Sequence, residues 1–449
     1  MSNIFHKMNH PRELSVIIQV LIVSVIEAAD ILRVCYFSGS SIYRDGKEHS
    51  LKPKDIDPFL CTHMIYASAA LNDDGNGVKL PDGYEDFQQY KDLTDLMYIN
   101  EDLKVMLSIG GWEMGSKSWI KLVSSRQNME AFAIEVIRYL RMHNFDGLDI
   151  DWEYPATRGS GPEDKHNFAE LLEVLQHYFE IEEEPDNKEN LILSVCVDPS
   201  QEMIDRSYDL QRISKSVDFI NLKLYDFYGH WDDPMRVYPH SALSGEGGVK
   251  NVNSMLKNWV NIGVPKYKIV LGVSFFGRSF RLQDRNFTAP GSLAIGPGSD
   301  NGDGYPIKNL CHLIKYGGLT EQMYGRVPYI VHEDEWISHD NPASVQEKAE
   351  LVFNNNLGGI FVWTIDMDDF SGACGVKYPM MMAVIHGLHA YHDYITEKNE
   401  VMLFLEERKR LEKERLAKVE LEKRKAGHTL DQLIQNKSSV ATSTPQFHW

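Results

Sequence analysis

The amino-acid sequence predicts an α/β fold, a closed (β/α) barrel with an inserted subdomain, and three observations carry that prediction. Eight short, near-continuous apolar runs recur along the chain, helical stretches lie between them, and one interval late in the chain is too long for a single crossover. An open doubly wound sheet is the alternative architecture that the same alternation permits. The 449 residues and 43% hydrophobic content suffice for one large packed domain with appendages.

Taken in order, the runs are "LRVCYF" from Leu32, "HMIYASA" from His63, "VMLSIG" from Val105, "GLDIDW" from Gly147, "LILSVCV" from Leu191, "DFINLKLY" from Asp218, "KIVLGVSF" from Lys268 and "GGIFVWT" from Gly358. Each is rich in β-branched and aromatic residues and short enough for a strand buried on both faces. Helices are expected over 128–142 and 163–179, where apolar residues follow a helical period. The interval 278–347 is expected to hold an insert with short strands of its own, such as "VPYIVH" from Val327, walling one side of a cleft.

The termini read differently from the middle. Residues 1–29 carry an apolar run from Leu14 to Ile26 behind Lys7 and Arg12, with Ala28 and Ala29 following, the pattern of a secretory signal, which Glu13 and Gln19 weaken. A membrane anchor is the competing reading, but the run falls short of the roughly 20 residues that span a bilayer. The expectation is a secreted, extracellular protein with no stable membrane insertion once the leader is removed. Sequons at Asn286 and Asn436 are compatible with export. From 396 to 449 the chain becomes "EERKRLEKERLAKVELEKRKAG" and a Ser/Thr-rich end, read as a solvated charged helix and a frayed tail without sustained heptads.

Charge excludes one class of partner. Lys plus Arg total 46 against 65 Asp plus Glu, and a net charge of −19 repels a phosphate backbone, so nucleic acid is not expected. The five cysteines allow at most two bridges and leave one thiol, with no pairing derivable from spacing. His332-Glu333 is followed at the fourth position by Trp336 in place of a second His, so no zinc motif forms there, and no metal site is expected.

The densest chemistry lies in "DGLDIDWEYP". Strand alternation puts Asp149, Asp151 and Glu153 on one face and Leu148, Ile150 and Trp152 on the other. Like charges about 7 Å apart in a confined site share protons, and Glu153, at the carboxyl end of its strand, is the candidate general acid. On ligand type alone, the acids also suit a hard metal ion.

That stretch resembles the DxxDxDxE signature of the family 18 glycoside hydrolases, the chitinases and chitinase-like lectins. "LCTHMIYA" at Leu60, "SIGGW" at Ser108, "NLKLYDFYGHW" at Asn221, "GVSFFGRSF" at Gly272, "VPYI" at Val327 and "GGIFVWTIDMDDFSG" at Gly358 resemble family segments in family order, from about Arg33 to His389. The resemblance implies a (β/α)8 TIM barrel with an inserted α+β subdomain over 30–395. It also implies cleavage of β-1,4-linked N-acetylglucosamine in chitin or chito-oligosaccharide, with no cofactor. In this family the sugar's own acetamide attacks the anomeric carbon, a departure from the usual two-carboxylate scheme.

By the same resemblance, Glu153 protonates the glycosidic oxygen, Asp151 orients the acetamide, Asp149 shares a proton with Asp151, and Tyr225 donates to the acetamide carbonyl. Asp146 is a supporting residue. Trp112, Trp231 and Trp363 are implied sugar platforms, and Tyr36, Tyr154, Asp226 and Arg278 implied sugar-binding positions. Cys35 with Cys61 and Cys311 with Cys374 are the implied disulfides, leaving Cys196 as a buried thiol. Four departures touch the cleft. Lys223 stands where hydrolytic members commonly have Met, Ser40 where Trp is common, Ser68 where Phe is common, and Phe276 where Tyr is common. An ammonium beside Asp151 or Glu153 favours ionised carboxylates, a buried Lys223 that sheds its proton and sits neutral is the alternative, and the other three changes remove stacking surface or a hydroxyl. A catalytically silent lectin for chito-oligosaccharides is the alternative function.

Overall fold

The computed structural model describes residues 31–44, 50–79, 84–182, 188–245 and 248–440; the expected leader at 1–29 lies outside them. Seven strands come first: β1 (Leu32–Ser38), β2 (His63–Ala69), β3 (Lys104–Gly110), β4 (Gly147–Asp151), β5 (Ile192–Val197), β6 (Phe219–Leu222) and β7 (Ile269–Ser274). The insert follows with β8 (Phe276–Leu282), β9 (Ala294–Pro297), β10 (Tyr305–Pro306), β11 (Gln322–Tyr324), β12 (Val327–His332) and β13 (Glu335–Ser338). Then β14 (Gly359–Trp363) returns to pair in parallel with both β7 and β1, closing the barrel. All eight predicted runs are the eight barrel strands, and the doubly wound alternative is set aside.

The apolar runs fit this architecture because parallel strands covered on both faces need apolar side chains in both directions. Inside, Val34, Tyr36, Ile65, Met106, Phe219, Val270 and Phe361 pack as one buried cluster. Outside, Leu148, Ile150 and Trp152 lie beneath the helical shell. The Trp152 ring stacks on Trp119 at 5.5 Å, and its Nε1 donates to Ser116 Oγ at 3.0 Å. The expected helices occupy Arg126–Met142 and Asp164–Glu180, the first capped by Ser125, whose side chain accepts from Asn128 N.

The insert is an antiparallel sheet in the order β10-β8-β13-β12-β11, with β9 also on β8, and the helix Ile307–Gly317 beside it. Its boundaries differ from 278–347. It begins at Phe276, directly after β7, and its last strand ends at Ser338. The reason for the earlier end is local: Asn341 and Ser344 form a reciprocal cap, with each backbone N–H held by the other's side chain, and this starts the crossover helix Pro342–Asn355 that leads into β14. Trp336, stacked on Tyr329 at 4.7 Å, centres the insert's own core with Phe280, Leu282 and Val237.

Two compact units divide at Tyr391 and His392. The second consists, in its described part, of the helix running to Val440, where Arg410 pairs with Glu407 and Glu414, and Arg415 with Glu412. Among the described residues no helix is long and apolar enough to cross a membrane.

Candidate active site

Strand register decides which side chains meet at the centre of the barrel. Ser108 of β3 and Ser194 of β5 stand level with Asp149 of β4, and Gly110 stands level with Asp151. Gly110 is required there: at φ +126°, an added Cβ would lie 2.1 Å from the Asp151 carbonyl oxygen.

Asp149 is fully buried and accepts from four donors. They are Tyr36 OH at 2.9 Å, Ser108 Oγ at 2.8 Å, Ser194 Oγ at 2.6 Å and Asn221 Nδ2 at 3.4 Å. Burial raises its carboxyl above the ordinary value while the hydroxyls of Ser194, Ser108 and Tyr36 pull the other way. Where the sequence suggests a proton shared between Asp149 and Asp151, both Asp149 oxygens are taken by these hydroxyl and amide donors.

Asp151, also buried, turns to Lys223, whose Nζ donates to its Oδ1 at 2.7 Å and also to Glu153 Oε1. Burial pushes Asp151 up to about 7 against the pull of the Lys223 charge, and the Glu153 charge adds to the rise. Burial opposes the Lys223 charge in turn, yet Asp151 and then Glu153 hold the ammonium protonated well above its ordinary range. Lys223 reaches the site by strand alternation: it lies two residues after Asn221, whose side chain bonds Asp149, and its backbone N–H still donates to Val197 O at 2.9 Å, although β6 ends at Leu222 and the predicted run continued to Tyr225. Glu153 lies just past the end of β4 with 12% of its side chain exposed, so it faces the mouth of the barrel.

Tyr225 is buried between Phe276 at 5.9 Å and Phe361 at 6.0 Å, and burial raises its phenol far above the ordinary value, which keeps it a donor. Tyr154 is half-buried, its ring centroid 5.9 Å from Lys223 Nζ. Tyr36, an implied sugar-binding position, is fully buried, and its hydroxyl donates to Asp149 and accepts from Asn221 Nδ2 at 2.9 Å.

The aromatic positions reach the surface to different extents. Trp363 ends β14 half-buried, its ring 5.0 Å from that of Tyr36, whereas Trp112 and Trp231 are 57% and 50% exposed. Arg158, unremarked in the sequence, lies over the Trp112 ring at 3.9 Å and donates to the carbonyls of Trp112 at 2.7 Å and Glu153 at 3.1 Å, tying the loops after β3 and β4 together. Arg278 grips Asp226 through two 2.7 Å bonds, and its guanidinium lies 5.4 Å from the Trp231 ring. Ser40 and Ser68 are exposed, with Ser68 Oγ donating to Gly110 O at 3.0 Å. Phe276 is buried, packed on His240 at 5.4 Å. Asp146 accepts from Val105 N at 2.8 Å, bracing β4 against β3.

Both implied disulfides form, Cys35 with Cys61 and Cys311 with Cys374, and Cys196 is the buried thiol. The donors around Asp149 were the part that sequence reasoning missed. Their signal was a hydroxyl or amide at an inward position of an otherwise apolar strand, in "LSIG", "LSVCV" and "FINL".

An acidic β4 end inside a closed eight-stranded barrel, with an antiparallel insert beside it, defines a glycoside hydrolase barrel. The chain belongs to the glycosyl hydrolases family 18, whose description matches residues 33–368. A relative from Margaritifera margaritifera named "Putative chitinase 1" is 51% identical over 81% of this chain and 78% of its own length. The solved Ostrinia furnacalis Group IV chitinase, in complex with allosamidin, is 31% identical with a TM-score of 0.75 over 80% of this chain and 99% of that one. Human YKL-39, described as a pseudo-chitinase with retained chitooligosaccharide binding, is 34% identical with a TM-score of 0.74 over 80% of this chain and all of its own.

Proposed function

We propose that this chain is a secreted chitinase that hydrolyses β-1,4-linked N-acetylglucosamine chains by the substrate-assisted, retaining route. The observation that carries the reading is the intact acid set: Asp149, Asp151 and Glu153 converge at the carboxyl end of β4, with Tyr225 close by. Glu153 delivers its proton to the glycosidic oxygen as that bond to the anomeric carbon breaks. The acetamide carbonyl oxygen, aligned by Tyr225, bonds to the same carbon and gives a cationic oxazolinium beside Asp151. Water then loses a proton to Glu153, adds to the carbon and opens the ring with retained configuration. Trp363 forms the floor and Trp112 and Trp231 the flanking platforms, since pyranose rings present apolar faces to aromatics. Two disulfides suit an oxidising compartment.

A second reading, a lectin that holds chito-oligosaccharide without cleaving it, is favoured by one observation, the Lys223 ammonium bonded to the acid. The purified protein is expected to release the chromophore from a chromogenic chito-oligosaccharide. Glu153→Gln is expected to lower kcat by about a thousandfold or more while sugar affinity stays within a few-fold. Wild-type binding with no turnover at any pH from acidic to neutral establishes the lectin instead.

A further inference from the structure

The proposed chemistry has no use for a cation at its centre, yet one is there. Lys223 follows the last rung of β6, its backbone N–H held by Val197 O at 2.9 Å, and 11% of its side chain is exposed. Its Nζ bonds both Asp151 and Glu153. The groups around this contact are Asp149, Asp151, Glu153 and Tyr154 from β4 and its loop, and Cys196, Asp198 and Tyr208 from β5 and the segment after it. Tyr36 from β1 and Tyr225 with Asp226 from beyond β6 face it too, and the Arg158 guanidinium donates to the Glu153 carbonyl at 3.1 Å. The Asp226 charge is already engaged by Arg278, so Lys223 is the cation that Asp151 and Glu153 share.

An ammonium has donors only, so each oxygen it holds is an acceptor, and its charge favours the ionised form of a carboxyl it touches, against the burial that raises Asp151. A general acid must carry the opposite state. Positive charge also develops on the sugar next to Asp151, and a fixed ammonium there opposes it. The arrangement is therefore a resting one, incompatible with the reacting one.

We propose that Lys223 is a displaceable latch on the hydrolytic site: it holds Asp151 and Glu153 in the empty cleft, and the sugar's acetamide takes its place at Asp151 while Glu153 gains a proton from solution. The inference rests on the hydrolytic reading above. The flexible four-carbon stem of lysine permits the movement, and the Tyr154 ring, 5.9 Å from Nζ, offers the displaced cation a nearby aromatic face. Two consequences follow from the proton. Turnover falls as pH rises and solution supplies that proton less readily, and removing the ammonium leaves Asp151 and Glu153 without the counter-charge they share, so the pair retains a proton to higher pH.

The test is the pH profile of kcat and kcat/KM on a chromogenic chito-oligosaccharide for the wild type, Lys223→Met and Lys223→Arg, with Lys223→Gln used if the Met variant does not fold. The basic limb for Lys223→Met is expected about one pH unit or more above that of the wild type, with kcat at neutral pH about tenfold higher, while Lys223→Arg keeps the wild-type limb. Superimposable limbs for the wild type and the uncharged variant overturn the latch. If no variant turns over at any pH, the hydrolytic reading fails, and the latch is then tested by calorimetry of chito-oligosaccharide binding in buffers of different ionisation heat. A latch predicts uptake of close to one proton by the wild type and none by Lys223→Met; equal uptake by both overturns it.

Discussion

Asp226 shows how one residue ties cleft geometry to pH. Burial works to raise its carboxyl, but the Arg278 guanidinium, with His240 behind it, holds it well below the usual carboxylate range. Because the folded value lies below the unfolded one, this pair stabilises the fold above the unfolded value and its contribution is lost as pH falls through the folded value. Asp226→Asn is therefore expected to lower Tm at neutral pH, with the deficit narrowing only below about pH 4. A deficit that stays constant from neutral to acidic pH, measured by differential scanning calorimetry, shows that the charge pair is not its source. At the same scale, the acids themselves were legible in the sequence because alternation puts Asp149, Asp151 and Glu153 on one face. The four donors on Asp149 were not, since Tyr36, Ser108, Ser194 and Asn221 come from four strands.

Among elements, the barrel strands were readable and their ends less so. Burial on both faces imposes a continuous apolar run, which locates each strand, whereas β6 stops at Leu222 although the run continues to Tyr225. Alternation past Asn221 carries Lys223 into the site, and the capping pair Asn341 and Ser344 fixes where the insert gives way to its crossover helix. The disulfides act at this scale too. Cys35–Cys61 closes 26 residues and Cys311–Cys374 closes 63. On the chain-entropy account the shorter loop contributes about 3.5 kcal/mol and the longer about 4 kcal/mol. Replacing Cys311 and Cys374 together by Ala is expected to cost about as much as this in denaturant unfolding, slightly more than replacing Cys35 and Cys61. A clear reversal of that order would place the effect in native packing around the buried Cys35 instead of in loop closure.

For the molecule as a whole, the buried residues of the core lie overwhelmingly within the unit that ends at Tyr391, while the helix beyond it carries exposed charge pairs. Exposed pairs contribute little to stability. Ending the chain at Tyr391 is therefore expected to leave a folded barrel whose Tm changes by less than about 3 °C, measured by thermal denaturation; unfolding of that shortened chain would show that the two units depend on each other. The eight apolar runs, the acidic strand and the two cysteine pairs were present in the sequence because each follows from local periodicity or from a family pattern carried by contiguous residues. Whether the acid stands free or is held was decided only in three dimensions. Residue 223 and residue 153 lie seventy positions apart, and only closure of β4, β5 and β6 side by side brings their charges within hydrogen-bonding reach.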